Sequence, residues 1–308
     1  MGDCGTIERK SNEGQVIWVR SAGASSNNTL TEFDLETVFD LLAEDSLIQY
    51  DYSFLTEIRN INGIRALEHK PADVHKGITL QSLANDNPRP GSDIFTAGTE
   101  VCTLGPAHFL AFNGFSSYRP HCMILTANWY RRQREPLDIE DYRAIHRFLN
   151  MHNSEFLVFF NCKAEAGCSR DHKHLQAIPK MSFEGEPWLN LDHYGDALPF
   201  TYYERKFAQD LTPHASLELY QQGLQQVERS LVQKTTEDDG APPHYMIMDR
   251  GRMVIIPRRA AGIYPLGANS GGMLGMIWVK SEETMRKWLE IGPDKIITTG
   301  GIPKTTGG

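Results

Sequence analysis

Short apolar bursts dominate the chain: AHFLAF at 107–112, HCMILT at 121–126, EFLVFF at 155–160, YMIMD at 245–249 and RMVIIP at 252–257. Each is brief and bounded by turn-forming residues, and most are rich in aromatic or β-branched side chains. That length and punctuation belong to sheet strands rather than helices. No run reaches the ~18 consecutive apolar residues of a membrane span, so no membrane partner is expected.

Between the bursts a helical period recurs. Phe33, Leu35, Val38, Phe39, Leu41 and Leu42 predict a helix over 32–44 with Thr31 as N-cap. Tyr142, Ile145, Phe148 and Leu149 predict a second, amphipathic helix, a third fits between Ala215 and Val232, and Ser281 opens a fourth with a capping-box pattern. The stretch MLGMIWVK at 273–280 reads as one more strand, and 21–31, 85–98 and 233–243 read as loops. Hairpin-like strand pairs with helices grouped between them predict an α+β fold, a mixed or antiparallel sheet with helices packed on it.

A chain of 308 residues has room for one large or two closely packed domains. The expected division is an N-terminal extension with helices (1–64), a catalytic region (65–190) and a C-terminal region (191–308) in the same globule. With 39 acidic against 31 basic residues, the net charge of −8 argues against a broad nucleic-acid surface. Cys4, Cys102, Cys122, Cys162 and Cys168 include no CxxC pair, so reduced thiols are expected rather than a disulfide framework or zinc knuckle. Met1, Gly2 and Thr6 match the loose N-myristoylation template, with Cys4 as a second acyl position, although Asp3 beside the glycine argues against it. The N-terminus lacks the basic start and apolar middle of a signal peptide, and the expected location is the cytoplasm, with the nucleus as a second compartment.

Chemistry concentrates in NCKAEAGCSRDHKHLQAIP at 161–179. His172, His174 and Gln176 follow one another at spacing two, so in an extended strand all three face one way while Lys173, Leu175 and Ala177 face the other. Neutral imidazole is a nucleophile at physiological pH and can carry a group covalently between two displacements. Gly167, Cys168, Ser169 and Arg170 form a short turn whose amides, hydroxyl and guanidinium suit phosphate oxygens. A metal site built on His-x-His and a purely structural histidine pair are the competing readings. Asn161, Gly167, Ser169 and Gln176 favour phosphate chemistry.

The pattern N-x5-G-x-S-x-x-H-x-H-x-Q resembles the branch of the histidine-triad superfamily that holds diadenosine tetraphosphate phosphorylase (ATP adenylyltransferase) and galactose-1-phosphate uridylyltransferase. NSGGMLGMIWVK from Asn269, HYMIMDRGRMVIIPR from His244 and the long segment from His108 are similar to fungal diadenosine tetraphosphate phosphorylases, over residues 65–304. The resemblance implies a histidine-triad-like fold and transfer of AMP from diadenosine tetraphosphate to inorganic phosphate, giving ADP and ATP. It implies His174 as the nucleophile, His172 as an orienting or polarising group and Gln176 as a holder of the transferred phosphate. Substrate contacts would come from Lys70, Asn113, Gly114, Asn161, Gly167, Cys168, Ser169, Arg170, Asn269, Ser270, Gly271, Met276 and Lys280. No tightly bound cofactor and no protein-held metal are implied; Mg2+ would accompany the nucleotide, and the chain would act as a monomer.

Three departures from the family pattern touch binding rather than the nucleophile: Gly114 where the family has lysine, Arg89 where it has an aromatic, and Lys163 where it has glycine. They leave open a related transferase with a diverged substrate, uridylyltransferase-like or of specialised metabolism, or a nucleotide-binding protein that lost phosphorolysis. Other residues have less definite roles. Arg131, Arg132 and Arg134 beside Trp129 and Tyr130 read as a solvated helix start or a steering patch, His121 as a core-edge histidine, and Arg258 and Arg259 as facing phosphate or solvent.

Overall fold

The computed structural model describes residues 7–12, 15–20, 32–44, 48, 57–61, 64–68, 90–96, 98–116, 118–151, 155–180, 182–183, 186–187, 198–207, 211–231, 240–273 and 282–304. Lys70, Met276, Lys280, Arg89, Thr31, Ser281, Gly2, Cys4 and the 21–31 loop lie outside them. So does 274–280, most of the expected 273–280 strand. Its first residue, Met273, is described and is helical.

The N-terminal part holds the hairpin β1 (Ile7–Asn12)/β2 (Gln15–Arg20), helix α1 (Glu32–Glu44) and the hairpin β3 (Glu57–Ile61)/β4 (Ile64–Glu68), so it contains strands as well as the helix that the apolar spacing predicts. The main sheet begins with β5 (Glu100–Thr103), β6 (His108–Phe112) and β7 (Cys122–Thr126), followed by α2 (Ile139–Asn150), β8 (Phe156–Cys162) and β9 (His174–Pro179). A two-residue hairpin, β10 (Ser182–Phe183)/β11 (Glu186–Pro187), precedes β12 (Tyr203–Lys206), α3 (Pro213–Ser230), β13 (His244–Met248) and β14 (Arg252–Pro257). A second small hairpin, β15 (Gly262–Ile263)/β16 (Leu266–Gly267), leads to the single turn α4 (Ser270–Met273) and to α5 (Glu282–Ile291) and α6 (Pro293–Gly300).

Eight strands form one sheet in the order β12-β14-β13-β8-β9-β7-β6-β5. Every neighbouring pair is antiparallel. Period-two alternation gives its faces different fates. One face, carrying Ile124, Leu175, Ala177, Val158, Phe160, Met246 and Ile255, packs on apolar residues of α1, α2 and α3 in the largest core. Phe39 of α1 meets Phe112 of β6 edge to face. Helix α2 is anchored by a capping box between Asp138 and Asp141 and buries Tyr142, Ala144, Ile145, Phe148 and Leu149, each large side chain contributing about 1.5–3 kcal/mol.

The other face carries two separate apolar clusters among the described residues. Tyr245, Ile247, Val254 and Ile256 pack on Phe200, Leu266, Trp288, Ile296 and Ile297. Phe109, Ala111, Met123 and Leu125 form a separate small cluster with Ile94 and Trp129. Leu157 and Phe159 of β8 and Ile178 of β9 belong to the first of these clusters, and beside them Asn161, Gln176 and His174 form a polar strip on the same face.

Candidate active site

The strip contains the histidine row. Antiparallel pairing sets Gln176 opposite Met123 and Phe159, and His174 opposite Leu125, so Gln176 and His174 share the face that carries the two smaller clusters. Leu175 and Ala177 point into the helix-covered core. His172 stands just ahead of the strand in a bridge with Arg132, and its ring packs 5.1 Å from Trp129.

His174 Nδ1 lies 2.8 Å from the carbonyl oxygen of His172. A carbonyl only accepts, so Nδ1 carries the proton and the lone pair is left on Nε2. Burial pushes the pKa of His174 below its ordinary value, which keeps the ring neutral and the lone pair available. The main chain of His172 therefore sets the orientation of the His174 ring. The ring of His172 is itself enclosed: Nε2 is 3.1 Å from Thr126 O, to which it donates, and Ser92 Oγ is 2.9 Å from Nδ1. Burial lowers the pKa of this ring to about 4. Asp93 closes the same corner by accepting from the main-chain N–H groups of Asp171 and His172 at 2.8 and 2.9 Å. Ser92 and Asp93 lie in the proline- and glycine-rich 85–98 segment, whose composition marks a loop but not these contacts.

At the far end of the row, His121 is fully buried and its Nε2 donates to Gln176 Oε1 at 2.9 Å. Its reading as a core-edge histidine leaves out this bond, which holds the Gln176 amide by its oxygen and leaves the NH2 group to other partners. Its position in the apolar 121–126 run gives no sign of that partner. Asn113 N donates to His121 O, and Asn113 Oδ1 accepts from Phe115 N. The Asn113–Gly114 turn thus adjoins the Gln176 end of the row rather than His174.

The C-terminal residues arrive from the other side. Asn161 Oδ1 accepts from Ser270 N at 3.3 Å, joining β8 to the α4 turn. Gly167 has φ +69°, a left-handed backbone that favours glycine, and a Cβ there would press at 3.3 Å on the Asn269 Cα, so the turn lies against Asn269. Ser270 Oγ is buried without a hydrogen-bond partner, an orphan polar atom beside Asn161 of the kind a bound ligand satisfies. Asn269 thus stands against Gly167 and Ser270 against Asn161, with Gly271 next in the same turn. Ser169 and Arg170 are exposed at the rim, and Cys168 is half-buried.

Arg258 faces neither phosphate nor solvent. It is fully buried under the 163–170 turn, donates to carbonyls of Glu165, Ala260, Ala261 and Ala268, and lies over the Tyr245 ring at 4.9 Å. Arg259 is exposed and donates to Thr298 and Thr299 carbonyls at the end of α6. Arg131, Arg132 and Arg134 are not a helix start, since α2 begins at Ile139. Arg131 pairs with Glu135 and Asp138, and Arg132 donates to the carbonyls of Gly91 and Trp129.

Directly behind the histidine row, Lys173 Nζ reaches Asp141 Oδ2 at 2.6 Å, and His108 Nε2 lies 2.8 Å from Asp141 Oδ1, all three side chains being buried. Burial opposes the Asp141 charge, but the His108 hydrogen bond and the Lys173 cation prevail and hold its carboxyl well below the usual range. The same carboxylate completes the α2 capping box, so the helix start is bonded through Lys173 to the segment that leads into β9.

Comparison with known proteins assigns the two halves of this arrangement. Residues 80–192 match the Ap4A phosphorylase N-terminal domain, and residues 196–303 match the ATP adenylyltransferase C-terminal domain. The chain belongs to the Ap4A phosphorylase/ATP adenylyltransferase family. Such an enzyme is a nucleotidyltransferase. Two Saccharomyces cerevisiae relatives are similar over much of its length. Diadenosine 5',5'''-P1,P4-tetraphosphate phosphorylase 2 is 27% identical over 231 residues, 64% of this chain and 70% of that protein. Protein APA1 is 24% identical over 274 residues, 78% and 84% respectively.

Crystal structures of yeast Ap4A phosphorylase Apa2 share the fold. The structure without a named ligand superposes with a TM-score of 0.65 at 19% identity, covering 88% of this chain and 97% of that one. The complex with Ap4A gives 0.66 at 18% identity, with the same coverage. The β8–β13 pairing makes one continuous sheet across the two family domains, and Asn161, His174 and Ser270 gather near that seam.

Proposed function

We propose that this family member transfers AMP from diadenosine tetraphosphate to inorganic phosphate through His174. The observation that carries the reading is the 2.8 Å bond from His174 Nδ1 to the His172 carbonyl, which leaves the Nε2 lone pair on a neutral buried ring. Nε2 attacks the α-phosphorus; a P–N bond forms as the P–O bond to the departing ATP breaks. The imidazolium that develops keeps its Nδ1 proton on the His172 carbonyl, which stabilises the growing charge. A phosphate oxygen then attacks the same phosphorus, the P–N bond breaks, and ADP leaves.

In this reading Gln176, oriented by His121, donates to a non-bridging oxygen, while Asn161, Ser270, Gly271 and the Gly167–Arg170 turn hold phosphate and ribose. Asn113 and Gly114 would meet a more distant part of the substrate, and Lys70, Met276 and Lys280 complete the proposed contact set. Among the described residues no three His, Cys, Asp or Glu side chains converge to hold a metal ion. Mg2+ is assigned to the polyphosphate as part of the substrate. Among the described residues no helix is long and apolar enough to cross a membrane. We assign a monomer working in the cytoplasm.

The test is intact-mass measurement after mixing with Ap4A in the absence of phosphate, with UDP-glucose in a parallel sample. An added AMP mass on the wild type, absent from His174→Ala and discharged as ADP on adding phosphate, is the expected result. The variant should lose about 10^4-fold or more in kcat. A uridylyl adduct, or none from either donor, would overturn the assignment.

A further inference from the structure

The ladder between β8 and β9 runs from Phe156 opposite Pro179 to Phe159 opposite Gln176 and ends two steps short of Asn161 and His174. The gap is occupied by the buried side-chain amide of Gln133. Gln133 Oε1 accepts from His174 N at 2.7 Å, and Nε2 donates to His174 O at 2.9 Å and to Asn161 O at 3.1 Å. The segment carrying this side chain is itself held in place. Gln133 N donates to Asp171 O at 2.8 Å, Lys173 N donates to Arg131 O at 3.0 Å, and Arg132 bridges His172.

A primary amide offers a planar acceptor with two donors, enough to satisfy main-chain groups on two strands at once. Adjacent strands in a ladder stand about 4.8 Å apart, so an amide bonded to both sides holds them wider than direct pairing allows. The strands are thus parted at the one level where a phosphate must fit between the Asn161 and His174 side chains.

We infer that Gln133 is a positioning residue for the transfer reaction: its amide wedges β8 from β9 and fixes the main chain of the nucleophile relative to Asn161. The role rests on the proposed chemistry of His174. Gln133 touches no reacting atom, and its contribution is the geometry of attack, where a displacement of about 1 Å costs on the order of 100-fold in rate.

Gln133→Glu is nearly isosteric but turns both donors into a carboxylate facing two carbonyl oxygens. Only its protonated form can donate to one of them. Gln133→Met keeps the bulk without any polar atom. The rate of AMP-adduct formation from Ap4A without phosphate is measured for wild type and both variants between about pH 5.5 and pH 8.5, together with KM and the thermal midpoint at each pH. The expected result is a deficit of about 10–100-fold for both variants at the alkaline end, carried by the rate with KM changed less than about threefold. The glutamate deficit should narrow about tenfold toward the acid end, while that of methionine stays constant.

Adduct formation at the wild-type rate, a loss expressed in KM alone, or a glutamate deficit that ignores pH would each overturn the positioning role. If the glutamate variant fails to fold, the methionine rate and KM decide. Absence of an adduct on the wild type would instead overturn the transferase reading itself.

Discussion

Lys163 has φ 72° and ψ 168°, a region that is open to glycine and strained for other residues. The strain sits between Asn161 and the Gly167 turn, where Ala166 N and Cys168 N both donate to Lys163 O. The main chain there is dictated by those bonds, and the lysine adapts to it. Lys163→Gly should therefore stabilise the fold by about 1 kcal/mol, the relief of strain exceeding the entropy cost of glycine. The urea midpoint checks this, and a lower midpoint contradicts it. The same scale shows the limits of reading residues along the chain. His172, His174 and Gln176 were legible because period two is local. The partners of those side chains were not: Ser92 lies 80 residues from His172, and His121 lies 55 from Gln176.

At the scale of elements, α2 and β9 are bonded through Asp141, which serves the capping box and the Lys173 and His108 side chains at once. An amphipathic period with an acidic first turn predicts the helix, and period two predicts that Lys173 faces away from the site. Neither predicts that the two polar groups meet in the core. Asp141→Asn leaves a buried ammonium without its counter-charge and should cost about 3–5 kcal/mol. Adding Lys173→Met removes that charge and should return part of the loss. A denaturant titration of the single and double variants reads both effects, and additive losses would contradict the pairing.

Across the whole molecule, burial keeps several histidines neutral. His174 is buried within the polar strip, and His244 is fully buried with Tyr220 Oη 3.0 Å from its Nε2. Burial lowers the pKa of His172 and His244 to about 4 and lowers that of His174 as well. In the unfolded chain these rings take protons near about pH 6.5. The unfolded state therefore binds more protons below that value, and the stability present above it is lost as the pH falls toward about 4. His244 alone accounts for roughly 3 kcal/mol of this loss. Urea midpoints should fall steadily between about pH 7 and pH 4.5, and a flat profile would contradict buried neutral histidines.

The apolar bursts, their turns and the period of 172–176 are local properties of the chain, and they determined an α+β sheet with two histidines and a glutamine on one side. Composition added what the chain is not. Tertiary structure decided how that strip became a site, since only the β8–β13 seam brings Ser270 against Asn161 and only the folded 131–133 segment delivers Gln133 to His174. The division has a physical cause. Periodicity follows from bond geometry within a strand or helix, whereas the partner of a buried amide, ammonium or imidazole is whichever group the packed sheet brings within hydrogen-bond reach.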